Sequence, residues 1–241
     1  GSLWPALDAS KIPPPPEPKR PPRVAAFVGR DGELAYYADK LRTVHIAVIS
    51  GFAGVGKTTL AAELARRTWP PDHTFWHSFH ADEGVDAILW ALAGFLAAHA
   101  QDELWQQLQG ARQSGGQPPP TPVMIEYLVQ KLRGHGFLLC LDNFQHVDEE
   151  PQMNQLAQQL RGDVLAGNLS LIITSRRVPS FVSLVEFDAL GGLRADDAQQ
   201  FIAQRGLTLS PALAAELATR TNGNPQLLSI AIEPLKRAAS P

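Results

Sequence analysis

The sequence contains a complete match to the pattern G-x-x-x-x-G-K-S/T, at Gly51-Phe52-Ala53-Gly54-Val55-Gly56-Lys57-Thr58. The preceding residues 44–50 form an apolar run that predicts a β-strand, and residues 57–68 have the apolar spacing of an amphipathic helix. A glycine-rich loop between a strand and a helix is the arrangement in which such a loop binds phosphate groups. We therefore predict a phosphate-binding loop (P-loop) at residues 51–58.

Each residue type in this loop has a chemical role in binding phosphate. The glycines let backbone N–H groups turn toward a phosphate, which a Cβ would obstruct, and the helix that follows directs the positive end of its dipole at the same anion. We predict that Lys57 contacts the β- and γ-phosphates and that the Thr58 hydroxyl is a ligand of Mg²⁺. The alternative is a glycine-rich turn with an exposed lysine. The predicted nucleotide-binding set in this region is Gly51, Gly54, Val55, Gly56, Lys57, Thr58 and Thr59.

A second apolar run, residues 137–142, ends in Asp142. The carboxyl ends of strands in an open α/β sheet border the crevice where ligands bind, so Asp142 is predicted to hold the Mg²⁺ shell, through water. The alternative is an aspartate in an ordinary strand-to-loop turn. The next residue is Asn143, where many related ATPases have a second acid that accepts a proton from the attacking water. An amide orients water but does not accept that proton, which predicts slow hydrolysis.

A third strand candidate, residues 169–174, leads into Ser175-Arg176-Arg177. An arginine at this edge of the sheet binds a γ-phosphate through its fork of donors, and Arg176 is favoured because Arg177 points elsewhere. The alternative is that both arginines are solvated.

The chain alternates strand and helix patterns, which predicts an α/β fold with a parallel sheet covered on both faces. Five runs predict a five-stranded sheet: 44–50, 74–80, 137–142, 169–174 and 184–187. The predicted helices are 57–68, 85–100, 123–133 and 153–165, with a surface loop at 110–122 and three further helices at 195–205, 211–221 and 225–236. We divide the chain into a proline-rich linker at 1–23, a P-loop NTPase domain at 24–190, and a small helical subdomain at 191–241.

Composition narrows the functional class. The 21 Lys+Arg and 24 Asp+Glu give a net charge of -3, so nucleic acid is not the expected partner. The single cysteine, Cys140, excludes an intrachain disulfide and a cysteine-based zinc site. No apolar run reaches the ~18 residues of a membrane span, so we expect no membrane partner and a cytoplasmic location. Because the chain opens with Gly-Ser rather than Met, we expect a fragment of a longer protein.

The ordered motifs resemble those of the STAND signal-transduction P-loop NTPases, in particular the NB-ARC subgroup. The motifs in question are Phe27-Val28-Gly29-Arg30-Asp31-Gly32-Glu33-Leu34, the P-loop, Leu139-Cys140-Leu141-Asp142-Asn143, Ile173-Thr174-Ser175-Arg176 and Gly223-Asn224-Pro225. The chain departs from the eukaryotic members at Asn143, where they have a second Asp, and it lacks their winged-helix, effector and sensor parts.

The resemblance implies roles that the residues alone do not. Val28 and Arg30 would line the adenine and ribose, Arg176 would sense the γ-phosphate, and Pro225 would pack on adenine, although helix-capping rules already account for residues 221–225. It further implies a weak ATPase that binds ATP or ADP with Mg²⁺ and acts as a switch. In the full protein the switch would gate self-association and answer to unidentified effector and sensor partners.

Two other functional classes of P-loop protein remain as alternatives. An AAA+-type motor or DNA loader would turn over ATP rapidly and is expected to carry a catalytic acid beside Asp142. A small-molecule kinase would need a lid and an acceptor pocket, and the sequence shows no basic lid segment.

Overall fold

The computed structural model describes residues 12–25, 27–182 and 189–239. Four strands form one sheet: β1 (Ile46–Ser50), β2 (Thr74–Ser78), β3 (Leu138–Asp142) and β4 (Ser170–Ser175). The helices are α1 (Asp31–Val44), α2 (Lys57–Thr68), α3 (Val85–Ala97), α4 (Glu103–Ser114), α5 (Thr121–Leu132), α6 (Pro151–Leu165), α7 (Ala195–Gln204), α8 (Pro211–Arg220) and α9 (Pro225–Ala239).

The sheet is parallel and its order is β1-β4-β3-β2. The parallel α/β arrangement is confirmed, but the described sheet has four strands where five were predicted. The predicted fifth strand, residues 184–187, lies outside the described residues. The order places β3 and β4 side by side in the centre, so that Asp142 and Ser175 reach the same edge as the P-loop, which follows β1.

Two hydrophobic clusters cover the two faces of the sheet, as the alternation of side chains along each strand requires. Phe75 and Leu139 belong to the cluster beneath α3, α5 and α6, whereas Trp76 and Cys140 belong to the cluster beneath α1 and α2. A third cluster lies within α7, α8 and α9 and includes Val28 from the segment before α1. The three helices at the end of the chain therefore share a core with the segment that precedes α1.

Two helices were missed by the sequence analysis. Helix α1 carries the GRxxE-type motif at its start, and α4 extends into residues 110–114 of the predicted loop. In α4, Leu104, Trp105 and Leu108 are buried. Gly110 costs a helix about 1 kcal/mol relative to alanine, which the burial of this apolar face outweighs.

Among the described residues, none of the helices has the length and the apolar character that crossing a membrane requires.

Candidate phosphate-binding site

The P-loop connects the end of β1 to the start of α2, as predicted. Gly51 has a φ of 146° and Gly54 a φ of 75°, conformations that favour glycine. Both positions also lack room for a side chain: a Cβ at Gly51 would lie 2.8 Å from the Leu190 carbonyl oxygen, and one at Gly54 would lie 2.3 Å from Gln226 Oε1. Other parts of the chain therefore approach the loop closely at both glycines, namely the Leu190 backbone and the Gln226 side chain at the start of α9.

Lys57 is buried at the base of the loop, with 7% of its surface exposed. Its Nζ donates to the carbonyl oxygens of Gly51 and Phe52, each over 2.9 Å. Among the described residues it forms no salt bridge. Burial lowers the pKa of Lys57, and the Arg176 guanidinium lowers it further, while Asp142 opposes both effects. The site therefore holds a buried ammonium beside a second cation, an arrangement that an anion would stabilise.

Asp142 is a buried carboxylate, 2% exposed, at the end of β3. Its Oδ1 accepts from Thr58 Oγ1 over 2.7 Å and from Thr174 Oγ1 over 2.6 Å. Its Oδ2 accepts from Ser78 Oγ over 3.0 Å. Because Thr58 donates its proton to Asp142, the lone pairs of its hydroxyl stay available to a cation.

Arg176 directly follows β4 and lines the same cavity as Lys57. Its backbone N–H donates to Gln145 Oε1 over 3.2 Å, and its guanidinium forms no ion pair within the described part of the chain. Arg177 differs, since its guanidinium pairs with Asp148 and Glu149. Of the two arginines, only Arg176 lines the polar cavity.

This polar cavity has a volume of about 430 Å³ and its size falls in the range of small-molecule sites. Asn143 borders it, with a φ of 59° and a backbone N–H that donates to Thr174 Oγ1 over 2.9 Å. Its other lining residues are Ala53, Gly54, Gly56, Lys57, Thr58, Thr59, Gln145, His146 and Arg176.

A second, mainly apolar cavity of about 400 Å³ lies on the other side of the P-loop. Gly54, Gly56 and Thr59 line both cavities, so the two adjoin each other at the P-loop. Val28 and Pro225 both line the apolar cavity. The lining residues of this cavity that sequence reasoning missed are Phe27, Leu60, Leu193, Phe201, Arg205, Gln226, Ser229 and Ile230.

Arg30 borders the apolar cavity, but its guanidinium has protein partners. It donates to the Gly191 carbonyl over 2.7 Å and to the Val55 carbonyl over 3.3 Å, and it pairs with Glu33 over 2.7 Å. The side chain therefore ties the P-loop to the segment that leads into α7. Sequence reasoning, which placed Arg30 beside the base and ribose, did not anticipate these contacts.

Asn224 and Gln226 connect the C-terminal helices to the P-loop. The Asn224 Oδ1 accepts from the backbone N–H groups of Gln226 and Leu227 at the start of α9, which confirms the predicted cap. Its Nδ2 donates to the Ala53 carbonyl over 2.8 Å, and the Gln226 N–H donates to the Gly54 carbonyl over 3.3 Å. We call these two contacts the P-loop clasp. Helix capping already explains the residue types at this position, so the sequence gives no separate reason to expect the clasp.

The structure thus brings the predicted phosphate and metal residues to one edge of the sheet and places Val28 and Pro225 at the adjoining cavity. Gly51 stands apart, since it contributes a carbonyl to Lys57 rather than lining either cavity. Ser78 was missed as a partner of Asp142, although the register of β2 against β3 pairs these two residues.

Comparison with known proteins gives one family. A family model described as an AAA ATPase domain matches residues 26–173, more than half of the chain. No curated protein matches the chain at a significant level.

Several solved structures share the fold. A Signal Transduction ATPase with Numerous Domains (STAND) with a tetratricopeptide repeat sensor, from Pyrococcus horikoshii, is 25% identical with a TM-score of 0.66. The match covers 88% of this chain and 30% of that protein, so the chain spans less than a third of its length.

Two further structures show likeness of fold alone. The ORC1 protein of Aeropyrum pernix, solved in complex with DNA, is 19% identical with a TM-score of 0.56, over 85% of this chain and 58% of that one. A Walker-type ATPase of Pyrococcus abyssi is 15% identical with a TM-score of 0.57, over 92% of this chain and 71% of that one.

Proposed function

The chain belongs to the AAA ATPase domain family, and on that premise we propose that it is the ATP- and ADP-binding switch module of a STAND-type signalling ATPase. The observation that carries the proposal is the pair of cations at the polar cavity, because Lys57 and Arg176 face it without a carboxylate partner among the described residues. A triphosphate supplies the missing negative charge. The STAND protein of P. horikoshii, at 25% identity, supports the same assignment.

In this proposal the nucleotide lies around the P-loop. Its phosphates occupy the polar cavity, held by the loop N–H groups, Lys57 and Arg176. Its base occupies the apolar cavity, whose lining includes Val28 and Pro225. Because the two cavities meet at Gly54 and Thr59, one ligand fills both.

The residues also fit Mg²⁺. The described residues contain no group of three or more His, Cys, Asp or Glu side chains that would hold a metal unaided. Mg²⁺ typically takes one or two protein oxygens together with phosphate oxygens and water, and Thr58 with Asp142 provides such a pair. When bound, the ion would neutralise charge that develops on the phosphates.

The P-loop clasp suggests how nucleotide would move the C-terminal helices. Asn224 and Gln226 bond carbonyls of the same loop whose N–H groups would bind phosphate, so occupancy of the loop bears directly on the contact. We propose that residues 191–239 act as a subdomain that reorients with the nucleotide state, and that this reorientation gates self-association of the full protein.

The first test concerns Arg176. Its replacement by alanine is expected to weaken ATP binding about 10- to 100-fold, the effect of losing hydrogen bonds to a charged group, because the guanidinium faces the γ-phosphate position. ADP affinity should change by less than about threefold, as ADP lacks that group. Isothermal titration with each nucleotide measures both values. Arg177→Ala is the matched control and should leave both affinities intact, since Arg177 pairs with Asp148 and Glu149. Equal losses for ATP and ADP in Arg176→Ala would refute the sensing role.

The second test concerns Asn143 and distinguishes the switch from an AAA+-type motor or DNA loader, the alternative function. The purified chain is expected to hydrolyse ATP at less than a few turnovers per second, whereas a motor would exceed that. Asn143→Asp should raise turnover at least about tenfold, since a general base is typically worth about 10²–10⁴. The backbone at φ 59° accepts Asp as readily as Asn.

Gln145→Glu is the control for Asn143→Asp, because it adds the same charge to the same cavity at a different position. If turnover rises equally in both variants, the added negative charge, rather than activation of the attacking water, explains the increase. Rapid multiple turnover by the unmodified chain would favour the motor.

A further inference from the structure

The proline-rich segment before α1 shows a regular burial pattern. Residues 12–25 have no helix or strand, yet every third residue is partly buried while those between are exposed. The partly buried positions are Ile12, Pro15, Pro18, Pro21 and Val24. A polyproline II helix has three residues per turn, so this is the pattern of such a helix with one of its three faces against the protein.

The first part of the segment lies on α3 and α4. The Trp105 indole Nε1 donates to the Pro13 carbonyl over 2.9 Å, and the Pro16 ring lies at van der Waals distance from the Gly94 position. Trp90 packs edge-to-face on Trp105, with ring centroids 5.9 Å apart. We call Trp90, Gly94 and Trp105 the tryptophan platform. Aromatic surfaces with an indole N–H that reaches a backbone carbonyl are typical of polyproline recognition.

The far end of the segment lies on the other face of the sheet. Ile12 packs against the cluster that contains Phe75, whereas Val24 and Phe27 pack against the cluster that contains Trp76. The chain between them must therefore pass from one face of the sheet to the other.

We infer that the route runs beside β2, an edge strand of the described sheet, because α3, which the Pro16 ring contacts at Gly94, packs against β2. Burial lowers the pKa of His77 on β2, and the charge of Lys19 lowers it further, although Glu83 opposes both effects. Proline has no N–H to donate, so a proline-rich segment beside an edge strand does not extend the sheet. The segment does cover the unpaired backbone groups of the edge strand, which could otherwise pair with a strand of another chain.

We propose that the tryptophan platform is a polyproline II binding site whose ligand is residues 12–24 of this same chain, which strap the domain across the edge strand β2. The proline-rich composition of residues 1–23 predicted a linker. As a bound strap it holds residues 12–24 on the surface of the ATPase core, and its release would free the β2 edge. The proposal does not depend on the nucleotide switch.

Limited trypsin digestion of the whole chain tests the strap. Mass spectrometry measures the rate of cleavage of the Lys19-Arg20 and Arg23-Val24 bonds. The bonds in the native chain are expected to be cut at least about tenfold more slowly than the same bonds in a free peptide of residues 12–28, because cleavage follows the population of the open form. Cleavage at the peptide's rate would overturn the proposal.

Trp105→Phe keeps an aromatic ring but removes the N–H that reaches Pro13. It should raise cleavage about five- to tenfold, the effect of losing one hydrogen bond on an opening equilibrium. Trp69→Phe is the matched control, since its indole donates to the Gly136 carbonyl over 2.7 Å and not to the segment. An equal rise in cleavage rate in both variants would contradict specific binding of the segment to the tryptophan platform.

A second pair of variants leaves the folded core untouched. Pro15→Ala changes a partly buried position and Pro14→Ala an exposed one, and both lose the same ring constraint. Pro15→Ala should raise cleavage more than Pro14→Ala. Equal effects would show that no face of the segment is bound, which would overturn the proposal even if Trp105→Phe fails to fold.

Discussion

Replacing Lys57 by alanine is expected to reduce ATP affinity at least about 100-fold, since each hydrogen bond to a charged group contributes about 1.5–3 kcal/mol and Lys57 would contact two phosphates. The present partners of its ammonium are the Gly51 and Phe52 carbonyls, which also shape the loop. The variant therefore loses both the charge and the conformation that aims the loop N–H groups at a phosphate. Fluorescence titration with a labelled nucleotide measures the loss.

Thermal unfolding separates a binding defect from misfolding. ATP should raise the melting temperature of the unmodified chain, because a ligand that binds only the folded state stabilises it. Lys57→Ala should melt cooperatively without that rise. Lys40→Ala removes an equal charge from α1 and should keep the full ATP-dependent rise. Unchanged affinity in Lys57→Ala would remove the basis of the proposed function.

Replacing Asp142 by asparagine is expected to lower ATP turnover at least about 100-fold, since the loss of a charge-stabilising group typically costs about 10²–10³ in rate. The substitution is also expected to abolish the Mg²⁺-dependent part of ATP affinity. Asparagine has the same shape, and its Oδ1 still accepts from Thr58 and Thr174. The substitution removes the negative charge while retaining most of the local hydrogen bonds. Turnover and affinity measured across a magnesium titration report the effect.

Asp163→Asn provides the matched control for Asp142→Asn. Asp163 is also buried, at 4% exposed, but it pairs with Arg133 far from the P-loop, over 2.6 Å. This variant should lose stability without losing magnesium-dependent turnover. If Asp142→Asn kept its magnesium dependence, Asp142 would be a structural residue only.

Much of the fold could be predicted because its signals are local. The P-loop pattern, the apolar strands 137–142 and 169–174, and the helix pattern of 57–68 each depend on neighbouring residues. Parallel strands bring their carboxyl ends to one edge, so the grouping of Asp142 with Lys57 followed from the strand assignments alone. Helix α4 was missed for the opposite reason, since the glycines and prolines of 110–122 gave a strong loop signal that the burial of Leu104 and Leu108 overrides.

The P-loop, the parallel α/β class and the residue types at the sheet edge follow from the amino-acid sequence, because each of them depends on residue identity over one strand, loop or helix. The packing of the whole chain sets the strand order, the contacts of Arg30 with Val55 and Gly191, the clasp of Asn224 on the P-loop, and the hydrogen bond from Trp105 to Pro13. These are contacts between segments far apart in the chain. Their partners are chosen by packing and by the need of each buried polar group for a hydrogen bond, and short-range patterns carry no record of that choice.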